Sequence, residues 1–583
     1  MRLVCDIETD GLDPNVIHCL CVEDLDSNEN WQFHGDTLET GIKVIADADE
    51  TIWHNGIGYD IPAIKKIYPA FTPKKVTDTL VLSRMLLPDI KLRDFDMYLG
   101  REGDEILPKR LFGSHSLKAW GLRMANHKGD YTGGWDTFND EMLKYCIQDV
   151  KVTKDLYNML KPWKHDQSAI DAEHRCTEIC ERIGKFGWTF DTTKAIKLYS
   201  ELAQMRDDLK DHLGDLFDPW EVHEWFTPKV NNSKIGYVKG EPFRKTKVVH
   251  FNPNSRRHIE HCLKSKYKWK PKYLTAQGHA QIDDTILSQL PYEEAQILSK
   301  YFMVQKRIGQ LSEGSGAWLK KLDDDGKLRH HLVSSATVSG RCAHRSPNLG
   351  QVPAVRLPYG RECRELFTVD PGYVLLGADL SGLELRCLAH YMNDKDYIQQ
   401  IESGDIHTYN QNVAGLKSRD QAKRMIYCLI YGGGDMRLGE IVDGGIYEGQ
   451  AIRGAFMHNL PSYKELKKAV DVRSQTGSFR GLDGRVIKIR SKHSALNLLL
   501  QAAGATIARQ WVINIQDAFD AENIDAHIVA WVHDEVQVAV RKGQEDYVGD
   551  LIGRMAEETQ KTFNLSIPIR SEYKVGQNWA ETH

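Results

Sequence analysis

The sequence predicts an α/β fold that is divided among several domains. The chain has 583 residues, which exceeds what one hydrophobic core usually organises. Strand and helix patterns alternate from residue 1 to about 160, and they return after about 326. Between these two parts, from roughly 165 to 325, long amphipathic helical patterns dominate.

Three segments support the prediction for the N-terminal part. LVCDIET is apolar and strand-like, and IWHNGIGYDIPAIKKI passes from a strand pattern into a helix. DEMLKYCIQDVKVTKDLYNML has helical periodicity over its whole length. We therefore expect a single α/β domain here.

The middle part is predicted to be helical with one interruption. A polar stretch with Gly, Lys and Pro runs from about 220 to 250, and we expect an inserted loop there. Six basic residues and one Glu lie within 229–247, and lysines alternate with Tyr267 and Trp269 within 264–272. Each stretch is equally consistent with a DNA-binding surface and with a solvated charged face.

The composition narrows the class of protein. There are 76 Lys and Arg against 81 Asp and Glu, so any DNA binding must depend on local charge. No run of about 18 apolar residues could span a bilayer, and the N-terminus lacks the pattern of a secretory signal. The 11 cysteines lack zinc-finger spacing and are expected to be reduced and mostly structural. We expect a cytoplasmic protein without a membrane partner.

Asp6 and Glu8 open the first group of acids. They lie two residues apart in an extended stretch, so both side chains point to one face, where a divalent cation would offset their repulsion. Asp60 follows in HNGIGYD, and Asp149 in YCIQD has Tyr145 one helical turn before it. A lone acid pair is usually a surface feature, but four acids and a tyrosine can hold two hard cations and orient a water.

Asp379 opens the second group of acids. It ends the apolar strand in YVLLGADLSGLELR, and a helix is expected to begin around Glu384. IVAWVHDEVQVAV places His533, Asp534 and Glu535 at the tip of two strand-like runs. An acid at a hairpin tip is common, so this segment alone would indicate an ordinary turn. Together the two segments place acids at two strand ends.

RDQAKRMIYCLIYGGGD lies between these acids. Arg419, Lys423, Tyr427 and Tyr431 recur every four residues, which is about 400° on a helix, so they form one stripe. Two cations and two rings on one face suit a triphosphate and a base or sugar. The glycines that follow are expected to end the helix.

These ordered motifs resemble two known families. Strand D-x-E, N-x-x-x-Y-D and Y-x-x-x-D are similar to the DnaQ-like proofreading exonucleases. The later segments resemble motifs A, B and C of the family A, DNA polymerase I-like enzymes, and the whole length is similar to replicative polymerases of short-tailed phages. Supporting stretches are KRIGQLSEG, VSGRCAHRSPNLGQVP, GDIHT, GLDGR, LNLLLQAAGA and GQNW.

The resemblance implies an RNase H-like exonuclease domain followed by a right-hand polymerase domain. The implied limits are 1–165 for the exonuclease, 166–325 for a thumb with a shortened insertion at about 220–250, 326–400 for the first part of the palm, 401–494 for the fingers, and 495–583 for the second part of the palm.

The resemblance also implies two Mg²⁺ ions in each site. The implied exonuclease ligands are Asp6, Glu8, Asp60 and Asp149, with Tyr145 positioning the water and Asn55 completing the middle motif. The implied polymerase ligands are Asp379, Leu380 and Asp534.

For the substrates, the resemblance implies contacts with dNTPs and primer–template DNA. His407, Arg419 and Lys423 would bind phosphates, with Lys423 as proton donor to the leaving group. Glu384 would hydrogen-bond Tyr427 to exclude a ribose 2′-hydroxyl, and Tyr427 in place of Phe predicts tolerance of dideoxynucleotides. The implied DNA contacts are Tyr431 on the template, Arg341 and Gln501 along the minor groove, and His533 with Glu535 beside the primer terminus.

The chain departs from the family pattern in two places. Cys428 stands where the family has Gly, so a bulkier side chain must be accommodated. The short insertion means that a host thioredoxin partner cannot be carried over. A replicative helicase-primase and a single-strand-binding protein are partners implied at the level of the family.

Three other classes of protein remain as alternatives. A single-subunit RNA polymerase shares the palm, but Glu384 and the attached exonuclease argue against it. A repair or RNA-processing exonuclease would not need intact Asp379, Asp534, Arg419 and Lys423. A purely structural nucleic-acid-binding protein would not need both groups of acids.

Overall fold

A computed structural model describes residues 1–99 and 107–583. The chain forms two compact units. The larger unit comprises Met1–Thr189, Arg329–Val352 and Thr368–His583, and the smaller comprises Phe190–Leu328 and Pro353–Phe367. Among the helices of the described residues, none is long and apolar enough to cross a bilayer.

The helices and strands up to residue 190 alternate as the sequence predicts. In chain order they are β1 (Arg2–Thr9), β2 (Ile17–Asp24), β3 (Asn30–His34), α1 (Leu38–Asp47), β4 (Glu50–Trp53), α2 (Asp60–Ile67), β5 (Val76–Asp78), α3 (Thr79–Leu86), α4 (Ile90–Tyr98), α5 (Leu117–Arg123), α6 (Asp140–Leu160), α7 (Gln167–Phe186) and β6 (Trp188–Phe190).

From residue 192 to 328 helices predominate. In chain order the elements are α8 (Thr192–Leu216), β7 (Trp220–Phe226), β8 (Phe243–Val249), α9 (Arg256–Tyr267), α10 (Asp284–Ser288), α11 (Glu293–Ile308) and β9 (Lys327–Leu328).

The remaining elements return to a mixture of strands and helices. They are β10 (His331–Val333), β11 (Ala343–Arg345), α12 (Gly360–Arg364), β12 (Phe367–Thr368), β13 (Tyr373–Leu380), α13 (Leu383–Met392), α14 (Lys395–Ser403), α15 (Ile406–Ala414), α16 (Arg419–Ile430), α17 (Asp435–Gly439), α18 (Ile446–Asn459), α19 (Pro461–Ser474), β14 (Ser478–Arg480), β15 (Val486–Lys488), α20 (Ala495–Glu522), β16 (Ala526–Val532), β17 (Glu535–Arg541), α21 (Glu545–Thr562) and β18 (Ser571–Gly576).

The N-terminal sheet has the strand order β3-β2-β1-β4-β5. Strand β1 is antiparallel to β2 and parallel to β4. Alternate side chains of β1 enter two different cores: Leu3 and Ile7 pack with α1 and α2, whereas Val4 packs with α6. Because side chains alternate along a strand, the other even-numbered residues of β1 also face α6.

The second sheet has the order β16-β17-β13-β18, and every pairing in it is antiparallel. One apolar face of β13, with Val374, Leu376 and Ala378, belongs to the largest hydrophobic core. Helix α20 contributes much of the same core, including the fully buried Trp511. This packing fixes the end of β13, where Asp379 lies.

The stretch that was predicted to be an inserted loop is an antiparallel ribbon instead. Strands β7 and β8 pair in register from Trp220 with Val249 to Phe226 with Phe243. Nearly every ribbon residue is exposed, so neither strand has a buried face and the period of two that reveals most strands is missing from the sequence. The ribbon is held together by backbone pairing. The loop prediction was therefore wrong for the two strands and right for the irregular residues 227–242 between them.

The lysine and aromatic alternation spans the last turn of α9 and the residues after it, and part of it is structural. Trp269 is buried in the core of the smaller unit, and Lys266 lies 2.5 Å from the carboxylate of Glu294. Lys264 pairs with Glu260 at 2.5 Å one helical turn away. Lys264 and Lys266 therefore belong to a charged surface, whereas the exposed Lys268, Lys270 and Lys272 are consistent with either interpretation.

Candidate active sites

The structure brings the acids of the second group together at one edge of the sheet. Asp379 is the residue before the last of β13 and lies opposite Glu535 of β17. Asp534 lies in the two-residue turn between β16 and β17, where His533 has a φ of 62°. The amide of Leu380 donates to the carbonyl of Asp534 at 3.0 Å, which ties the turn to the end of β13.

The electrostatics of this edge suit a divalent cation. Desolvation, followed by the charge of Asp534, raises the pKa of Asp379 to about 7. Desolvation, followed by the charge of Glu384, raises the pKa of Asp534 to about 6. Little positive charge lies near the two carboxylates to offset their repulsion. Carboxylate oxygens are the ligands that hard cations such as Mg²⁺ prefer.

Glu535 is held by structural partners. Its Oε1 accepts from the Nε1 of Trp579 at 2.7 Å and from the Nε2 of Gln537 at 2.8 Å, and its Oε2 lies 3.0 Å from the Nδ1 of His583. Glu535 was predicted to lie beside the primer terminus, and the structure adds that its carboxylate anchors the C-terminal segment. Trp579 belongs to the GQNW stretch, which explains the place of that motif.

Helix α16 presents the predicted stripe. Ser418 caps its N-terminus by accepting from the amide of Gln421 at 3.2 Å. Arg419 pairs with Asp405 at 2.5 Å, and the rings of Tyr427 and Tyr431 stack with centroids 6.4 Å apart. The helix ends at Ile430, before the glycines, as predicted.

A cleft beside this helix contains two of the five predicted nucleotide-binding side chains together with the predicted template contact. Its lining includes Lys423, Tyr427 and Tyr431. His407 of α15 lies with its ring centroid 6.5 Å from that of Tyr427. Burial, followed by the charges of Arg419 and Lys423, lowers the pKa of His407, so its imidazole is neutral at neutral pH.

Glu384 has different partners from those predicted. The hydroxyl that reaches its Oε1 is that of Tyr431, at 3.4 Å, and not that of Tyr427. The guanidinium of Arg341 lies 3.6 Å from the same oxygen. Tyr431 follows the last residue of α16 and is 51% exposed. Because it lies beyond the helix end, its side chain can extend toward Glu384.

Cys428 is accommodated by a glycine five residues later. The amide of Gly433 donates to the carbonyl of Cys428 at 2.7 Å. A Cβ placed on Gly433 would lie 2.2 Å from the Cys428 sulfur, which is far inside contact distance. The missing side chain at Gly433 therefore provides the space that the thiol occupies.

The remaining predicted DNA contacts lie near the same edge. Gln501 is in the second turn of α20 and lines a groove together with Thr337 and Asn497. His533 is exposed in the turn before β17, and its carbonyl accepts from the Nε1 of Trp531 at 3.0 Å.

The acids of the first group also converge. Asp6 and Glu8 are on the face of β1 that α6 covers, Asp149 is on α6, and Asp60 begins α2. Burial, followed by the other carboxylates, raises the pKa of Glu8 to about 9 and that of Asp6 well above its ordinary value. Within the described part of the chain, Asp6 Oδ2 and Asp149 Oδ1 are buried without a hydrogen-bond partner. These orphaned oxygens fit cation ligands.

Two residues of this site were missed by the sequence analysis. The Nζ of Lys128 contacts Asp149 and lies 4.4 Å from the centroid of the Tyr145 ring. Asp78 accepts from the amides of Asn55 and Ile57 at 2.9 and 3.1 Å, and so fixes the loop of the middle motif. Asp78 ends a strand and caps the helix in VTDTL, which is a signal that sequence reasoning can use.

The stability of the chain should depend on pH and on divalent cations together. Burial raises the pKa of Glu8 from 4.5 to about 9 and that of Asp60 from 3.8 to about 7. The folded chain then binds more protons than the unfolded chain between these values, so without cations stability falls as the pH rises through this window. Mg²⁺ needs the ionised acids and should raise the melting temperature more at about pH 8 than at about pH 5.

Calorimetry with EDTA or with Mg²⁺ at both pH values checks this expectation. The chain with Asp6→Asn and Glu8→Gln is the control, because it should lose much of the pH-dependent difference. An Mg²⁺ effect of equal size at both pH values would contradict the assignment of these acids as cation ligands.

Two groups of clustered acids at sheet edges, one beside a cationic helix, define a two-site enzyme of nucleic acid chemistry. The DNA polymerase family A model matches residues 231–581, and the RNase H superfamily model matches residues 3–161. The chain belongs to DNA polymerase family A.

Several known proteins are similar to this chain. The DNA-directed DNA polymerase of Enterobacteria phage T3 is 32% identical over 714 aligned positions, which cover 100% of both chains. That of Escherichia phage T7 is 32% identical over 711 positions, again with 100% of both covered. The solved POL domain of Pol1 from M. smegmatis, in complex with DNA primer-template and dNTP, has a TM-score of 0.74 at 17% identity and matches 99% of this chain and 95% of that chain.

Proposed function

We propose that this chain is a DNA-directed DNA polymerase that also removes nucleotides from the 3′ end of DNA for proofreading. The polymerase proposal depends on one arrangement of residues. Asp379 and Asp534 lie at adjoining strand ends, and Glu384 accepts a hydrogen bond from Tyr431, the last member of the α16 stripe. Family membership supports the same activity.

In the polymerase site, two Mg²⁺ ions would be held by Asp379, Asp534 and the main chain at Leu380. Bound there, the ions would favour the ionised primer 3′-hydroxyl and offset charge on the pyrophosphate. Arg419 would bind the triphosphate once it leaves Asp405, with which it pairs in the structure.

The remaining residues of this site would position substrates. Lys423 would bind phosphate and donate a proton to the leaving group, and His407 would donate a hydrogen bond to phosphate. Tyr427 and Glu384 would close the space that a 2′-hydroxyl needs. We assign the DNA contacts to Tyr431 on the template, Arg341 and Gln501 along the minor groove, and His533 beside the primer terminus.

In the exonuclease site, two Mg²⁺ ions would be held by Asp6, Glu8, Asp60 and Asp149. Tyr145, one turn before Asp149, would orient the attacking water. The Lys128 ammonium would leave Asp149 when an ion binds, because the two cations repel each other. The unpartnered oxygens of Asp6 and Asp149 support this assignment.

We further propose the domain limits implied by the family. They are an exonuclease at 1–165, a thumb at 166–325, a palm at 326–400 and 495–583, and fingers at 401–494. The site of action would be the cytoplasm of a host cell, with a helicase-primase and a single-strand-binding protein as partners. A host thioredoxin partner is not carried over from the family, because the insertion that holds β7 and β8 is short.

The test is extension of a 5′-labelled primer on a longer DNA template with Mg²⁺. Growth with dNTPs and 3′ shortening without nucleotides are the expected results. Growth with rNTPs would instead indicate an RNA polymerase, and shortening under all conditions would leave only the exonuclease half of the proposal.

Replacing Glu384 with Ala should weaken the exclusion of ribonucleotides. The carboxylate lies beside Tyr431 and carries a charge that acts on Tyr427, so its loss opens space at the sugar. We expect rNTP insertion relative to dNTP insertion to rise about ten- to a hundredfold. Single-nucleotide insertion kinetics measure this ratio.

Asp420→Asn is the matched control for this change. Asp420 is an exposed acid of α16 that lines the cleft with Lys423 and Tyr427, and its replacement should leave the ratio unchanged. If Glu384→Ala lowers the rates with both sugars equally, Glu384 has no role in sugar selection.

A further inference from the structure

Two clusters of three free thiols are found among the described residues. One contains Cys176 and Cys180, one turn apart on α7, with Cys342 next to β11. The other contains Cys19, Cys21 and Cys146. Within each cluster the three sulfurs lie within 4.8 Å of one another. Zinc–sulfur bonds of about 2.3 Å place tetrahedral sulfur ligands roughly 3.8 Å apart, so both clusters have the spacing of a thiophilic cation site.

The two clusters differ in the charges that surround them. A divalent cation with three thiolates has a net charge of −1, which needs a positive group nearby when it is buried. The Arg509 guanidinium is 2% exposed, its charge acts on Cys176 and Cys342, and its Nη1 has no hydrogen-bond partner in the described residues. Arg509 also pairs at 3.2 Å with the buried Glu173, whose charge acts against an anion at Cys176, but the effect of Arg509 there is the larger, so an anionic complex is stabilised on balance.

The second cluster has the opposite surroundings. The Cys146 sulfur lies within 4.8 Å of carboxylate oxygens of Asp6 and Glu8. These acids would repel an anionic thiolate complex, and they already compete for any cation that enters. Cation binding by three thiolates is therefore favoured at the cluster that contains Cys176 and disfavoured at the cluster that contains Cys146.

The favoured cluster also has a route to solvent. Cys176 and Cys180 are buried, but Cys342 is partly exposed and lines a cavity together with Arg341, Glu384 and Asp534. This cavity is the side from which an ion, and a water to complete its coordination, would enter.

We propose that Cys176, Cys180 and Cys342 bind one thiophilic divalent cation of the Zn²⁺ type, with water as the fourth ligand. Three S–H groups release their protons to solvent as three sulfur–metal bonds form. Because Arg341 precedes Cys342 and lies 3.6 Å from Glu384, the ion would fasten the segment that carries Arg341 to α7. The three sulfurs are not among the carboxylate ligands, although Cys342 shares a cavity with Asp534, and the assignment does not depend on the proposed activity.

The test uses the full chain, kept reduced with a phosphine, and Cd²⁺ as the probe. Thiolate-to-cadmium absorption in the ultraviolet and the bound metal measured after gel filtration should both saturate at one equivalent. Excess Mg²⁺ should leave the absorption unchanged, because hard cations compete poorly for thiolates. Absence of the absorption band in the wild-type chain would overturn the proposal.

Variants locate the ion. Cys180→Ser should abolish the band, whereas Cys21→Ser, the matched change in the other cluster, should keep it. Cys342→Ser provides a second loss variant at a partly exposed position, and circular dichroism shows that each variant is folded. Loss of the band in Cys21→Ser and its survival in Cys180→Ser and Cys342→Ser would place the ion elsewhere and refute the assignment.

Discussion

Replacing Asp379 with Ala is expected to abolish primer extension while 3′ shortening continues. The acid is the last residue but one of β13, beside the Asp534 turn, and its loss removes one of the two paired carboxylates there. Losing several kcal/mol of transition-state stabilisation lowers the rate by roughly a thousandfold or more, since each ~1.4 kcal/mol is a factor of ten. Labelled-primer assays with and without dNTPs measure both activities on one preparation.

Glu572→Gln is the matched control for this change. Glu572 lies opposite Asp379 on β18, is exposed, and adds to the negative potential at that carboxyl. Its removal should change the extension rate by no more than about twofold, as for most surface substitutions. Substantial synthesis by Asp379→Ala would refute the polymerase site, and equal losses in both variants would show that only the local potential matters.

Replacing Asp6 with Asn and Glu8 with Gln should have the opposite effect, with synthesis retained and 3′ shortening reduced by roughly a thousandfold or more. The two substitutions remove charge but nearly preserve volume. Because burial and mutual repulsion raise the pKa of both acids, the variant should also melt at a higher temperature than the wild type in EDTA at about pH 8.

Glu39→Gln serves as the control in the same domain. Glu39 is exposed on α1 and pairs with Lys43 at 2.8 Å one turn away, so its loss should alter neither shortening nor melting appreciably. Unchanged shortening in the Asp6→Asn, Glu8→Gln chain would remove these acids from the exonuclease site. Lost shortening with a lowered melting temperature would indicate damage to the fold instead.

Local pattern predicted much of the fold. The helical segment that holds Tyr145 and Asp149 is α6 over its full length, because an apolar stripe and the Asn139 cap agree on its bounds. The strand ends at Asp379 and Asp534 were also predicted, since each follows an apolar run. The family and the fold class are confirmed, whereas the roles of individual residues stay predictions.

Contacts between distant segments could not be predicted. Lys128 lies in an irregular stretch before α6, and its contact with Asp149 depends on the path of that stretch across the helix. Whether Tyr427 or Tyr431 contacts Glu384 depends on the distance between α13 and the end of α16. The sequence periodicity of the two helices does not predict that distance. The ribbon of β7 and β8 lacks the buried face by which a strand is recognised.

Helix α7 has a consequence for anyone who would shorten this chain. His174 accepts from the amide of Asp78 at 2.8 Å, while Glu173, its neighbour, pairs with Arg485 and Arg509 at 3.1 and 3.2 Å. Ile170 packs in one core with side chains of α3, α5 and α6. A fragment that began at residue 166 would keep α7 but expose its apolar side to water, so the fragment would be prone to aggregate. Point substitutions in the exonuclease site would inactivate it and keep this side of α7 buried.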